Sequence, residues 1–292
     1  MSKPTTLLFI FSLALIITAL LIGSFWRQPP TPQSPDKLHI LTTFFPLYDF
    51  TRQIGGQHIV VDLLFTQTPE VSSFTPEDIQ KINQAEILIK NGAGLEPVLD
   101  ELIASGDNSN LTIIDTSQGV PLRQADPHIW LDPNHAIIQV QNIANALAAA
   151  DPDHASDFQA NAQAYITQLK QLDTDIKQRV ATFTHRDFVA FHPAFSYFAT
   201  RYHLNQAAVI EEFPGQEPSP QYLAQIINTI RDLKISAIFS EPQFSPRVIQ
   251  SIARDTGLTV YTLDPIETGD PARDSYLSLM RQNLTSITKA LQ

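Results

Sequence analysis

There is no cysteine anywhere in the 292 residues. That excludes disulfides, thiolate metal sites, thiol nucleophiles and lipid attachment through a cysteine side chain. Other signatures are missing too: no His-Glu-x-x-His helix, no Gly-x-Ser-x-Gly turn and no glycine-rich phosphate loop occurs. These absences count against an enzyme. Basic residues are scarce, with 19 Lys and Arg against 30 Asp and Glu, so the formal net charge is -11. Such a balance argues against nucleic acid and favours cationic ligands.

Two short segments carry the chemistry that is present. One is Asp126-Pro127-His128-Ile129-Trp130-Leu131-Asp132-Pro133; the other is Phe191-His192-Pro193-Ala194-Phe195, which follows the apolar run Phe188-Val189-Ala190. Each sets a histidine beside a proline, whose fixed φ stiffens the backbone and directs the ring in advance, as a metal ligand requires. Asp264-Pro265 follows a third strand-like run, residues 258–263. Two imidazoles and a carboxylate converging from separate loops suit a divalent ion. Asp264 has a second reading as an Asx turn that ends its strand.

Residues 6–25 form an unbroken apolar stretch between Lys3 and Trp26-Arg27. About twenty helical residues rise roughly 30 Å, the thickness of a bilayer core. No Ala-x-Ala pattern follows, which favours an uncleaved signal anchor over a cleaved signal. Pro29-Pro30-Thr31-Pro32-Gln33-Ser34-Pro35 then reads as an extended tether. The expected location of the remainder is the periplasmic or extracellular side of the cytoplasmic membrane, either anchored or released after cleavage.

Beyond residue 38 short apolar runs alternate with helical patterns, which predicts parallel α/β structure. Strands are expected at residues 39–43, 59–64, 87–90 and 111–114, and again at 188–191, 207–210, 236–239 and 258–263. A stripe of Phe158, Ala162, Tyr165, Leu169, Leu172, Ile176 and Val180 predicts one long helix starting from an N-cap at Asp153. A last helix is expected over 271–291. The expected domains are an anchor and tether (1–37), an N-terminal α/β lobe (38–152), a linking helix (153–182) and a C-terminal α/β lobe (183–292). A ligand belongs in the cleft between the lobes, at the carboxyl ends of the strands.

The segment 126–133, the run from Phe191 to Phe198, Glu217-Pro218-Ser219-Pro220, residues 240–246 and Asn91-Gly92-Ala93-Gly94-Leu95-Glu96-Pro97 resemble the zinc/manganese-type solute-binding proteins of ABC importers. The resemblance covers nearly all of residues 38–292. It implies two lobes that clamp one divalent ion and present it to a membrane permease, with no bond made or broken. It also implies that His128, His192 and Asp264 are ligands. At the family's fourth position, a histidine, this chain has Ser72. Glu70, a water or another histidine would then complete the set, and Glu241 would orient a ligand or cap the following helix. Imidazole at position 192 favours Zn2+ over Mn2+. The alternative is a repurposed member with a degenerate site, serving in adhesion or as a scaffold.

Overall fold

The computed structural model describes residues 37–292 apart from 124, 125, 214 and 246. The expected anchor and tether lie outside the described residues, and among the described residues no helix is long and apolar enough to cross a membrane.

Two four-stranded sheets form the frame. The first holds β1 (Leu38–Thr42), β2 (Ile59–Leu63), β3 (Ile87–Lys90) and β4 (Thr112–Asp115) in the order β2-β1-β3-β4. The second holds β5 (Asp187–Ala190), β6 (Asn205–Val209), β7 (Ala237–Ser240) and β8 (Thr259–Thr262) in the order β6-β5-β7-β8. Every pairing is parallel. The two lobes therefore share one winding, and each has a crevice where the order reverses, at the carboxyl ends of its two central strands.

Buried central strands covered on both faces require apolar residues in succession. Ile87, Leu88 and Ile89 of β3 meet that need, as do Phe188, Val189 and Ala190 of β5. Alternate side chains point to opposite faces. Ile40 and Phe188 therefore enter a core shared by both lobes, while Leu41 and Val189 enter the separate outer cores.

The connecting helices are α1 (Phe45–Gly55), α2 (Pro76–Gln84), α3 (Leu99–Ala104), α4 (Pro133–Ala150), α5 (Ala155–Val180), α6 (Ser196–Arg201), α7 (Pro220–Asp232), α8 (Arg247–Thr256) and α9 (Tyr276–Leu291). At α2, Thr75 and Asp78 close a capping box around Pro76, which satisfies two of the backbone donors that a helix start leaves open. The 26 residues of α5 rise about 39 Å. Its stripe from Phe158 to Val180 is buried, and the helix touches α1, α4 and α9. Burying each large apolar side chain there contributes roughly 1.5–3 kcal/mol.

Two helix starts differ from expectation. A short 3-10 turn, Pro152–His154, precedes α5, and the capping side chain is Asp151, which accepts from His154 N at 3.3 Å, in place of Asp153. Helix α9 begins five residues late, because Ser275 and Ser278 form its capping box while Asp270 and Asp274 fold residues 270–274 into a separate turn. Its entry is tied to α1 and α5 by fully buried Asp49, which accepts from Tyr276 N at 3.0 Å and the Tyr165 hydroxyl at 3.1 Å. Gly269 lies so close to the Phe45 ring that a Cβ would sit 2.7 Å from it. Any larger residue would push the loop after β8 off α1.

Candidate metal centre

Four side chains meet at the strand ends. Glu70 lies in the turn Pro69–Val71 after β2, His128 precedes the turn Ile129–Leu131, His192 follows β5 by two residues, and Glu267 lies in the loop after β8. One donor atom from each lies within 4.8 Å of the others. His128 Nε2 is 3.1 Å from His192 Nε2, and Glu267 Oε1 is 3.5 and 3.4 Å from the two. Glu70 Oε2 is 3.7 Å from His128 Nε2. His192 and Glu267 are wholly buried and His128 nearly so.

Each imidazole is held from behind by a carboxylate. His128 Nδ1 donates to Asp126 Oδ1 at 2.9 Å, and the same oxygen accepts from the His128 backbone N–H at 3.0 Å. Ser196 Oγ donates to the other Asp126 oxygen. His192 Nδ1 lies 2.7 Å from both oxygens of Glu241, which follows β7 directly and is itself held by Gln243 Nε2 at 3.1 Å. With Nδ1 occupied on both rings, both Nε2 atoms face the centre. This carboxylate–histidine arrangement fixes ring orientation and makes the inward nitrogen a better donor.

The charges respond to this enclosure. Burial opposes protonation of His192, yet Glu241 and Glu267 raise its pKa to about 9. Burial likewise works against His128, and Asp126, Glu267 and Glu70 hold its pKa well above the usual range. Burial pushes Glu267 up, but the two imidazoles 3.4 and 3.5 Å away prevail and hold it at about 2. Both Glu267 oxygens and Glu70 Oε2 are buried without a hydrogen-bond partner among the described residues. Orphaned carboxylate oxygens are costly. Two imidazole nitrogens and two such carboxylates, all within 4.8 Å of one another, form a donor set that fits around a divalent cation.

A rigid frame carries these groups. Buried Gln139 on α4 donates to Asn91 Oδ1 and Thr116 Oγ1, both at 3.0 Å, and Asn91 Nδ2 donates to Pro127 O at 2.9 Å, just before His128. Gly92, at φ 75°, allows the chain to turn there, since a Cβ would lie 2.0 Å from an Asp115 oxygen. The Glu96 carboxylate accepts from Asn91 N and Gly92 N, and burial raises its pKa to about 7.

The expected residues fare differently. His128, His192 and Glu70 are in the four-residue group, and Glu241 backs His192. Asp264 is not in the group. Its Oδ1 accepts from Ile266 N at 2.8 Å, closing an Asx turn, while its own N–H and C=O are bonded to the Asn283 side chain. That turn places Ile266 at φ 62°, a strained value for a β-branched residue, and brings Glu267 inward. Glu267 thus stands where Asp264 was expected. Ser72 turns away as well, donating to Thr68 O at 2.7 Å. His135 lies beside Asp132, outside the group. Sequence reasoning missed Glu267 and the backing role of Asp126. The available signals were a second acid three residues past Asp264 and the Asp-Pro-His spacing.

The sequence family described as zinc-uptake complex component A, periplasmic, matches residues 40–290. The chain belongs to this family. It is 29% identical over 280 residues to the zinc-binding lipoprotein AdcA of Streptococcus pneumoniae, covering 87% of this chain but 56% of AdcA, so it spans little more than half of that relative. It is 27% identical over 316 residues to the high-affinity zinc uptake system protein ZnuA of Bacillus subtilis, covering 100% and 99% of the two chains.

Solved structures agree on two parallel-sheet α/β lobes. The laminin-binding protein Lmb of Streptococcus agalactiae, described as bifunctional with adhesin and metal transporting activity, matches at TM-score 0.81 and 27% identity over 88% of this chain and 100% of its own. FpvC of Pseudomonas aeruginosa in complex with Mn2+ matches at TM-score 0.81 and 30% identity, over 88% and 98%.

Proposed function

We propose that this chain captures a divalent metal ion, zinc before manganese, outside the cytoplasmic membrane and delivers it to an ABC importer permease. One observation carries the reading. Four donors from four separate loops converge within 4.8 Å, with three buried carboxylate oxygens left for a cation to satisfy. Glu70, His128, His192 and Glu267 act as the ligands, and Asp126 and Glu241 orient the rings. Asp264 shapes the turn that presents Glu267. The family is one of transport solute-binding proteins, so the ion is cargo and leaves unchanged.

Residues 38–152 and 183–292 act as the two lobes, with 153–182 as the link between them. His192 and Glu267 come from one lobe, and Glu70 and His128 from the other. An ion bound by all four therefore favours the closed arrangement, and its occupancy is readable by a permease. Residues 6–25 serve as the anchor. Without cysteine, attachment by a lipidated cysteine is not open to this sequence.

Zinc is favoured by the imidazole pair and by the zinc-binding relatives. Glu70, in place of a third imidazole, leaves manganese as the alternative. The test is metal content and thermal shift of residues 38–292, titrated separately with zinc and manganese. One ion per chain is expected, and at a thousandfold excess over Kd roughly 4 kcal/mol of stabilisation, on the order of 10 °C. No bound ion and no shift would refute it. The likeness to Lmb supports a second reading, adhesion, with or without metal binding. Saturable binding to laminin by a metal-free chain would favour it.

A further inference from the structure

A second polar pocket of about 380 Å³ opens behind the metal centre. Its walls come from both lobes. Arg123 and Asp132 lie on either side of the segment that carries His128, His135 is in the first turn of α4, and Tyr197, Thr200 and Arg201 belong to α6 or its end. The pocket shares no residue with the four-donor group.

Its chemistry is opposite to that of the metal centre. Two guanidinium groups and an imidazole face it against a single carboxylate. That carboxylate is already engaged: Asp132 Oδ1 caps α4 by accepting from Asn134 N at 2.8 Å and lies 3.6 Å from Arg201 Nε. Arg123 donates through one terminal nitrogen to Thr200 Oγ1 at 2.8 Å, and Arg201 donates through Nε to Asp173 Oδ1 at 3.3 Å. Among the described residues neither terminal nitrogen of Arg201, nor the second of Arg123, makes a hydrogen bond. His135 Nδ1 is buried there and also lacks a partner among them. Burial lowers the pKa of this imidazole; Asp132 opposes that, and the two arginines add to it.

Guanidinium forks match the spacing of carboxylate and phosphate oxygens. We propose that this pocket binds a small oxyanion, a phosphate or carboxylate group, held between Arg123 and Arg201 across the junction of the lobes. The position has a structural consequence. Arg123 and Asp126 are already tied to α6 by Arg123 N donating to the Tyr197 hydroxyl at 2.7 Å, by that hydroxyl donating to Asp126 O at 3.2 Å, and by Ser196 donating to Asp126. A bound anion lies against Tyr197, which also holds Asp126, the residue behind His128.

The test uses the full chain in mild detergent, stripped of metal so that no ion competes for the anion. Inorganic phosphate and malonate are titrated separately by calorimetry at constant ionic strength, so that the two chemistries are told apart. At least one is expected to bind at a single site with a Kd in the millimolar range or below. Arg123→Gln should weaken it about tenfold, while His192→Ala, in the metal group, should leave anion binding intact. Circular dichroism checks the fold of each variant, and His135→Gln replaces Arg123→Gln should the latter unfold. No saturable binding of either probe up to about 20 mM overturns the proposal. So does unchanged binding in a folded pocket variant, or loss of binding in His192→Ala.

Discussion

The imidazole pair and the carboxylate pair of the metal centre are held in opposite ways. His128 and His192 each have a proline beside them and a carboxylate behind, so neither ring is free to turn. Glu70 and Glu267 have no such support: their inward oxygens find no hydrogen bond among the described residues. Between the carboxylates there is a further difference. Glu267 is wholly buried behind a strained residue, whereas the Glu70 side chain keeps 20% exposure on a short surface turn. Position is set by the rings, and charge is supplied by carboxylates whose inward oxygens have no hydrogen bond among the described residues. A rigid nitrogen pair with an adjustable oxygen pair suits cargo that must both bind and leave.

Removing the buried carboxylate should break this comparison most completely. Glu267→Ala leaves both Nε2 atoms without their shared negative neighbour and takes away the most enclosed of the four donors. Zinc affinity by competition with a chelating dye should fall by more than about a hundredfold, beyond what loss of a supporting residue causes. A fall of less than about tenfold would show that Glu267 is not a ligand.

Loosening a ring should cost less. Glu241→Gln keeps the shape but removes the charge behind His192 Nδ1, and the ring is then free to place its proton on either nitrogen. Zinc affinity should drop about 10- to 100-fold. Equal affinity for parent and variant would show that the Glu241 contact at 2.7 Å is structural only.

The two carboxylates should then be distinguishable by exchange. Glu70→His restores a third imidazole to the loop after β2. It should raise the preference for zinc over manganese by about tenfold, since imidazole suits zinc and carboxylate suits the harder ion. Glu70→Gln should weaken both metals. An unchanged zinc-to-manganese ratio in Glu70→His would mean that this loop does not reach the ion.

Much of the fold was legible because period and punctuation were strong. The runs around β3, β5 and β7 are apolar and bounded by turn residues, and the stripe on α5 recurs at helical spacing from Phe158 to Val180. The helix starts were harder. Whether Asp153 caps α5 directly or Asp151 caps a 3-10 turn before it, and whether α9 starts at Pro271 or Tyr276, depends on competing short-range hydrogen bonds. At the site, His128 and His192 were legible because proline fixes the backbone beside each. Glu267 was not, since its entry depends on a left-handed Ile266, a conformation that a β-branched residue does not advertise.

Asp264 provides the smallest and most discriminating change. As a ligand it would need its charge; as the acceptor of an Asx turn it needs only an oxygen. Burial, together with Glu241 and Glu267 nearby, raises its pKa to about 6 against the hydrogen bond from Ile266 N, so the neutral form is readily reached in this setting. An asparagine offers the same oxygen at the same place without charge. Asp264→Asn should therefore change zinc affinity by less than about threefold, while Asp264→Ala, which removes the acceptor, should cost about 1 kcal/mol of stability and release the turn that presents Glu267. If Asn weakened zinc binding as severely as Glu267→Ala, the turn reading would fail and Asp264 would rejoin the ligands. If both variants bound zinc like the parent, the position of Glu267 would depend on the loop's other anchors, the bond from Trp130 Nε1 to Pro265 O at 2.7 Å foremost.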